Sequence, residues 1–212
     1  MFMKKINLVL SITFISIFQM GASCNSELNR MAPHPDKFPL HHAVKRNDME
    51  KVKKLIEQDG VSVNTTDDTK NTPMHIAAYE GQIPMIQYLA AQGADLNARD
   101  IPKGRTPLHV AAAQSFWSTD YQDVLKTLLD LGADIHAVDY DKRQTALHRA
   151  AYWMKEGNVI ALVQKGANVN AQNSAGRTAC DEIVDRANGM KAEDLEILEE
   201  KISNIKQLVC NN

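Results

Sequence analysis

Seven histidines and three cysteines are the residues of this sequence best suited to metal binding or nucleophilic catalysis. The adjacent pair His41 and His42 has no carboxylate or cysteine at the spacing that a metal site needs. The sequence also lacks a glycine-rich phosphate loop, a Gly-x-Ser-x-Gly nucleophile motif and a His-Glu-x-x-His metal motif. We therefore predict that the protein is not an enzyme and that it binds neither a cofactor nor a metal ion.

Four of the histidines occupy the same place in a repeated segment. This segment is NTPMHIAA at 71–78, RTPLHVAA at 105–112 and QTALHRAA at 144–151, with weaker copies at 39–43 and 177–181. A second motif follows it as GADLNA at 93–98, GADIHA at 132–137 and GANVNA at 166–171. The threonines of successive copies, Thr72, Thr106, Thr145 and Thr178, are separated by 34, 39 and 33 residues. Two motifs that recur in register indicate a repeat architecture.

These motifs and this period resemble the ankyrin-repeat family. The resemblance implies an all-α solenoid of about five helix-turn-helix units with short β-hairpin loops and an extended C-terminal capping helix. We expect the repeat domain at 38–212, with units at about 38–70, 71–104, 105–143, 144–176 and 177–212. The resemblance also implies that each histidine bonds the nearby threonine and the adjoining repeat. The structural residues are then Thr72, His75, Thr106, His109, Thr145 and His148.

The residue types suit these elements. Thr72 and Thr106 are good N-caps, and each is followed by a proline that is preset for the first helical turn. The C-terminal stretch from Ala192 to about Leu208 carries an apolar stripe. We interpret it as a cap that covers the end of the stack, with a dimerising coiled coil as the alternative.

Cys180 and Cys210 are candidates for a disulfide, since their helices should run antiparallel. If the last helix folds straight back, Cys210 lies about 18 Å beyond the level of Cys180, at about 1.5 Å per residue. A disulfide needs Cα atoms within about 7 Å. We therefore expect that these cysteines do not pair.

Residues 1–23 have the features of a cleaved signal peptide, with an uncleaved anchor as the alternative. Lys4 and Lys5 precede an uncharged apolar stretch, and Gly21-Ala22-Ser23 supplies small residues for cleavage. Residues 24–37 are interpreted as a linker. The segment 21–24 resembles a bacterial lipobox, so Cys24 is either a lipid anchor or incidental. We expect an exported bacterial protein, either in the periplasm or secreted.

The expected function is protein binding. A net charge of -2 gives no electrostatic footprint for nucleic acid. Family members bind proteins through a concave face of hairpin tips and first-helix ends, and only 6% of this chain is aromatic. Aromatic and arginine residues collect on that mapping, as interface residues often do. The predicted partner-binding residues are Tyr79, Arg105, Trp117, Tyr140, Arg143, Tyr152 and Trp153.

We expect a monomer that acts as an adaptor in the cell envelope. The alternatives are an immunity-type inhibitor of a toxic enzyme and a secreted effector that binds host proteins.

Overall fold

The computed structural model describes residues 37–114, 121–189 and 192–210. The chain divides after Pro39 into two compact units, and the second, Leu40–Asn212, contains the repeats. The predicted signal peptide, Cys24 and nearly all of the linker lie outside the described residues. So does the segment 115–120, which includes the predicted partner-binding residue Trp117.

Ten α-helices make up most of the described part of the chain, and no β-strand occurs in it. They are α1 (Pro39–Lys45), α2 (Met49–Lys53), α3 (Pro73–Glu80), α4 (Ile83–Ala91), α5 (Pro107–Ala113), α6 (Gln122–Asp130), α7 (Ala146–Tyr152), α8 (Glu156–Gln164), α9 (Ala179–Asn188) and α10 (Ala192–Cys210). A π-helical turn, Lys54–Gln58, continues α2. The all-α repeat solenoid predicted from the sequence is confirmed.

The first helix of each middle unit begins at a threonine N-cap. Thr72 has an extended backbone and precedes Pro73, the first residue of α3, and Thr106 and Pro107 repeat this arrangement at α5. The threonine hydroxyl oxygen accepts a hydrogen bond from the backbone N–H of the histidine three residues later. These caps satisfy amide groups that would otherwise have no partner in the first turn.

The helices form two layers. The inner layer stacks α3, α5, α7 and α9 in that order, and the outer layer stacks α4, α6, α8 and α10. Pairs of alanines at the same place in α3, α5 and α7 are fully buried, so neighbouring inner helices approach closely. These pairs are Ala77-Ala78, Ala111-Ala112 and Ala150-Ala151. Larger apolar side chains of the outer helices, such as Leu89, Leu125 and Leu162, fill the space between the layers.

The Gly-Ala-Asp motif links the ends of the outer helices. Asp95 Oδ1 accepts a hydrogen bond from the backbone N–H of Asn97 at 2.8 Å, which closes a turn. Asn97 Oδ1 in turn accepts from the backbone N–H of Asp134 in the next copy, also at 2.8 Å. In the same way, Asn64 Oδ1 accepts a hydrogen bond from the backbone N–H of Asp95. The copies at 93–98, 132–137 and 166–171 each close their own turn, and Asn64 and Asn97 also hold the turn that follows them.

A hairpin loop precedes each of α3, α5, α7 and α9. One backbone hydrogen bond closes each loop, and it spans the pairs Asp67–Asn71, Asp100–Arg105, Asp139–Gln144 and Asn173–Arg177. Adjacent loops are joined by further backbone bonds from Ile101 N–H to Thr69 O, Tyr140 N–H to Lys103 O, and Ser174 N–H to Lys142 O. The loops therefore form a continuous row along one edge of the inner helices.

The expectation that Cys180 and Cys210 do not pair is wrong. The structure joins them in a disulfide, with the Cα atoms 5.3 Å apart. The expectation assumed that α10 folds straight back on α9. Instead Asn204 Nδ2 donates to Glu156 Oε1 at 2.9 Å, which places Asn204 level with the start of α8. Cys210 lies about 9 Å further along α10, at about 1.5 Å per residue, and so comes level with Cys180.

The C-terminal half of α10 packs within the molecule. Ile202, Ile205 and Val209 are buried, and the helix contacts α8 and α9. This half of α10 covers the apolar surface that the last inner and outer helices would otherwise expose, which is the arrangement expected of a cap.

Candidate protein-binding surface

A groove of about 400 Å³ lies between the inner helices and the hairpin loops. Residues of four successive units line it, among them Lys45, Tyr79, Glu80, Arg105, Gln114 and Arg149. Two of the predicted partner-binding residues, Tyr79 and Arg105, therefore share this groove. Tyr79 is 47% exposed at the end of α3, and Arg105 directly precedes the N-cap of α5.

The row of histidines positions the wall of the groove. His75 Nε2 donates to the backbone oxygen of Arg105 at 2.9 Å, while its Nδ1 accepts from the backbone N–H and the hydroxyl of Thr72. His109 bonds Gln144 O and Thr106, and His148 bonds Arg177 O and Thr145, in the same way. This bonding, from the nearby threonine to the adjoining repeat, is what the family resemblance implies.

These imidazoles are held neutral. Burial lowers the pKa of His75 and His148 below the ordinary value, and it lowers the pKa of His109 to about 4. Only a neutral ring can accept at Nδ1 while it donates at Nε2. The histidines therefore act as bridges between repeats, and their described ring nitrogens are occupied by protein groups.

A second group of predicted residues lies at the end of α7. Trp153 follows the last residue of this helix, is 46% exposed, and meets the half-buried Tyr152 edge to face at 5.4 Å between ring centroids. The guanidinium of Arg186, on α9, lies 5.3 Å from the Tyr152 ring and 5.7 Å from the Trp153 ring. This cation–π arrangement joins the fourth and fifth units and leaves part of the indole available to a partner.

A third group is found on the hairpin loop before α7. Tyr140 is 62% exposed, yet its ring stacks with the guanidinium of Arg99 at 5.1 Å and covers Gly104. A Cβ atom at Gly104 would lie 2.2 Å from this ring, so the close approach requires glycine. Arg143, on the same loop, is exposed. The predicted partner-binding residues that the structure describes thus fall into three groups along the inner helices and loops.

Sequence reasoning missed the residues that fasten the hairpin loops. Each loop has a carboxylate or amide whose side-chain oxygen accepts backbone N–H groups of the same loop, and these residues are Asp67, Asp100, Asp139 and Asn173. Each lies five or six residues before the threonine N-cap of its repeat. That regular spacing was the signal that could have revealed them.

Arg149 is a second residue of this surface that sequence reasoning did not identify. It occupies the place that Ile76 and Val110 hold in the two preceding copies of the motif. Its guanidinium lies 4.0 Å from Asp139 Oδ2, and both side chains are largely buried. Burial lowers the pKa of this guanidinium, and the nearby charge of Arg105 lowers it further, while Asp139 opposes the change. A basic residue at an otherwise apolar motif position was the available signal.

Within the described ranges, no group of three or more histidine, cysteine, aspartate or glutamate side chains is arranged to hold a metal ion. In the same part of the chain, no helix has both the length and the apolar character needed to cross a bilayer.

Comparison with known proteins shows the same repeat. A family model described as "Ankyrin repeats (3 copies)" matches residues 13–100, 40–139 and 101–173. Human ankyrin repeat domain-containing protein 49 is 38% identical over 69 residues, which are 32% of this chain and 28% of that protein. The serine/threonine-protein kinase VIK of Arabidopsis thaliana is 44% identical over 69 residues, which are 32% of this chain and 15% of the kinase.

A Drosophila melanogaster protein, transient receptor potential cation channel subfamily A member 1, is 34% identical over 90 residues, or 41% of this chain and 7% of the channel. This chain therefore spans less than a third of the length of each of these relatives. The ankyrin-repeat fold is typically a non-catalytic interaction module.

Proposed function

Because this chain belongs to the ankyrin-repeat family, we propose that it is a bacterial envelope or secreted protein that binds a protein partner along its inner helices and hairpin loops. Ankyrin repeats generally mediate protein–protein interaction. Beyond this general property, we propose which face of the protein binds, which residues contact the partner and in which compartment the protein acts.

The observation that carries the proposal is where the exposed apolar side chains lie. Among the described residues, six large hydrophobic side chains are exposed. Four of them lie at inner-helix ends or on hairpin loops, and these are Tyr79, Ile101, Tyr140 and Trp153. Of the other two, Val184 lies within the inner helix α9 and Leu131 directly follows the outer helix α6. Exposed aromatic residues with arginines nearby are the composition of protein interfaces.

Replacement of the aromatic pair tests the face directly. We expect Trp153→Ala, alone or with Tyr152→Ala, to abolish capture of the partner from a bacterial envelope extract. The melting temperature of Trp153→Ala should stay close to that of the wild type, because Trp153 is exposed. Leu131→Ala is the matched control, since it removes an exposed apolar side chain from the outer layer. A large fall in melting temperature for Trp153→Ala would show that the ring supports the fold instead.

The identity of the captured protein separates the possible roles. A resident envelope protein supports an adaptor, a toxic enzyme supports an immunity-type inhibitor, and capture only from host-cell lysate supports a secreted effector. We expect an envelope protein.

Export is the second part of the proposal, and the signal-like residues 1–23 and the Cys180–Cys210 disulfide support it. Disulfides persist in oxidising compartments such as the periplasm. Cell fractionation with mass measurement of the purified protein tests this. We expect a mature chain that lacks residues 1–23 outside the cytoplasm. The same mass shows whether Cys24 carries a lipid, and a full-length cytoplasmic chain would contradict export.

A further inference from the structure

Arg149 is a buried cation whose hydrogen-bonding capacity is only partly used. Its nearest acidic neighbour, Asp139, is 4.0 Å away, which is too far for a hydrogen bond. The other Asp139 oxygen already accepts backbone N–H groups of Lys142 and Gln144. The Nε–H of Arg149 is buried and has no hydrogen-bond partner within the described structure.

Arg105 shows what a satisfied arginine looks like in the same groove. Its Nε donates to Asp100 Oδ2 at 2.7 Å, and its terminal nitrogen lies 2.5 Å from the same oxygen. The two arginines also repel each other, since Arg105 is a cause of the lowered pKa of Arg149. The pairing of Arg149 with Asp139 is therefore the weaker of the two, and Arg149 is the cation with an unused donor, its Nε–H.

The groove around Arg149 carries more positive than negative side chains. Lys45, Arg105 and Arg149 line it with one acidic residue, Glu80. Asp100 and Asp139, the acidic neighbours of the two arginines, are buried and do not line the groove. A guanidinium in a partly buried groove binds a carboxylate with two parallel hydrogen bonds, and such charge-assisted bonds are stronger than neutral ones. A carboxylate in this place would accept from the guanidinium of Arg149 and reduce the repulsion between the two arginines.

We propose that Arg149 anchors an acidic side chain of the protein partner, with Tyr79 and Arg105 forming the wall of the site. The proposal rests on the proposed function, because it names the chemistry of the partner segment that enters the groove. The ligand is a protein segment with an exposed aspartate or glutamate.

Selection from a phage-displayed library of random peptides, on the full mature chain, tests this proposal. We expect the selected peptides to be enriched in aspartate or glutamate at one position. One such peptide is then synthesised, and its affinity is measured for the wild type, Arg149→Gln, Arg149→Lys and Lys54→Gln. Lys54 is exposed on the π-helical turn and serves as the charge-matched control.

Arg149→Gln should weaken the acidic peptide by roughly 30-fold or more, as expected when one partner of a buried charge pair is removed. Arg149→Lys should lose less, and it keeps a charge beside Asp139 if the glutamine variant folds poorly. Replacing the enriched acid of the peptide by its amide should cause a similar loss. The two changes together should not add, because they remove the same interaction.

Separate results distinguish the inference from the proposed function. Peptides without acidic enrichment that still lose affinity for Tyr79→Ala would overturn the anchor and leave the binding face intact. Losses from Arg149→Gln and from the peptide amide that simply add would also overturn the anchor. Peptides that bind equally to Tyr79→Ala, Trp153→Ala and Arg149→Gln would contradict both proposals.

Discussion

The middle units and the last unit hold their helices by different means. In the middle units, each histidine connects its own threonine to the backbone of the next repeat, as His109 connects Thr106 to Gln144. In the last unit Asp181 takes the place of the histidine and bonds only Thr178, within its own unit. A disulfide and the long helix α10 are found there instead. Bonds that need a following neighbour cannot hold the last repeat, so another constraint takes over.

Loss of the disulfide, which constrains the last unit, is expected to have the largest effect on the free energy of unfolding. The double replacement Cys180→Ser and Cys210→Ser should lower the free energy of unfolding by about 3 kcal/mol, because the cross-link closes a loop of 30 residues in the unfolded chain. Urea unfolding followed by circular dichroism, with and without a thiol reductant, measures it. The reductant should have no further effect on the double variant. Equal midpoints for oxidised and reduced wild type would show that α10 is held without the bond.

Replacing His109 should lower the free energy of unfolding more than replacing Asp181, which takes the place of the histidine in the last unit. Urea unfolding measures both. His109→Ala should cost about 2 kcal/mol, because it leaves buried groups of Thr106 and Gln144 without partners. Asp181→Ala should cost about 1 kcal/mol, the usual cost of a lost cap. A larger loss for Asp181→Ala would reverse the proposed difference between the regions.

Acid should weaken the middle units before the last unit. Burial lowers the pKa of His109 from 6.5 to about 4, so between these values the unfolded chain binds the additional proton. The histidine contribution to stability is therefore complete above pH 6.5 and decreases as the pH falls to about 4. At about pH 5.5, the loss from His109 alone is about 1 kcal/mol.

Asp181 responds in a different pH range. Hydrogen bonds from Thr178 lower its pKa below the ordinary 3.8, so its contribution is lost only as the pH falls below that value. Urea midpoints measured between neutral pH and about pH 4 should fall for the wild type, and less steeply for His109→Gln. An unchanged slope in the variant would show that His109 does not couple folding to proton binding.

The fold could be predicted because it depends on short motifs whose physics is local. Threonine, proline and the alanine pairs act within one or two turns of helix, and their period shows how units follow each other. The disulfide could not be predicted in this way. The relation of Cys180 to Cys210 depends on where α10 becomes level with α8, which the Asn204–Glu156 contact shows and no motif encodes.

The candidate surface was only partly accessible to the same reasoning. Exposed residues next to a motif, such as Tyr79 and Trp153, could be placed by register, and their role in binding stays a prediction. Arg149 lies inside the motif, where the repeat pattern predicts a structural residue, although its charge distinguishes it from Ile76 and Val110. Its incomplete pairing with Asp139 is a matter of distances, which appear only in three dimensions.

The backbone bonds between adjacent hairpin loops have a consequence for how such a protein can change over generations. The links from Ile101 to Thr69, from Tyr140 to Lys103 and from Ser174 to Lys142 use only main-chain atoms. Most amino acids can therefore occupy these tips without altering the spacing of the loops. Mutations that alter partner preference at the tips can accumulate at little cost in stability, so specificity can diverge while the architecture is retained.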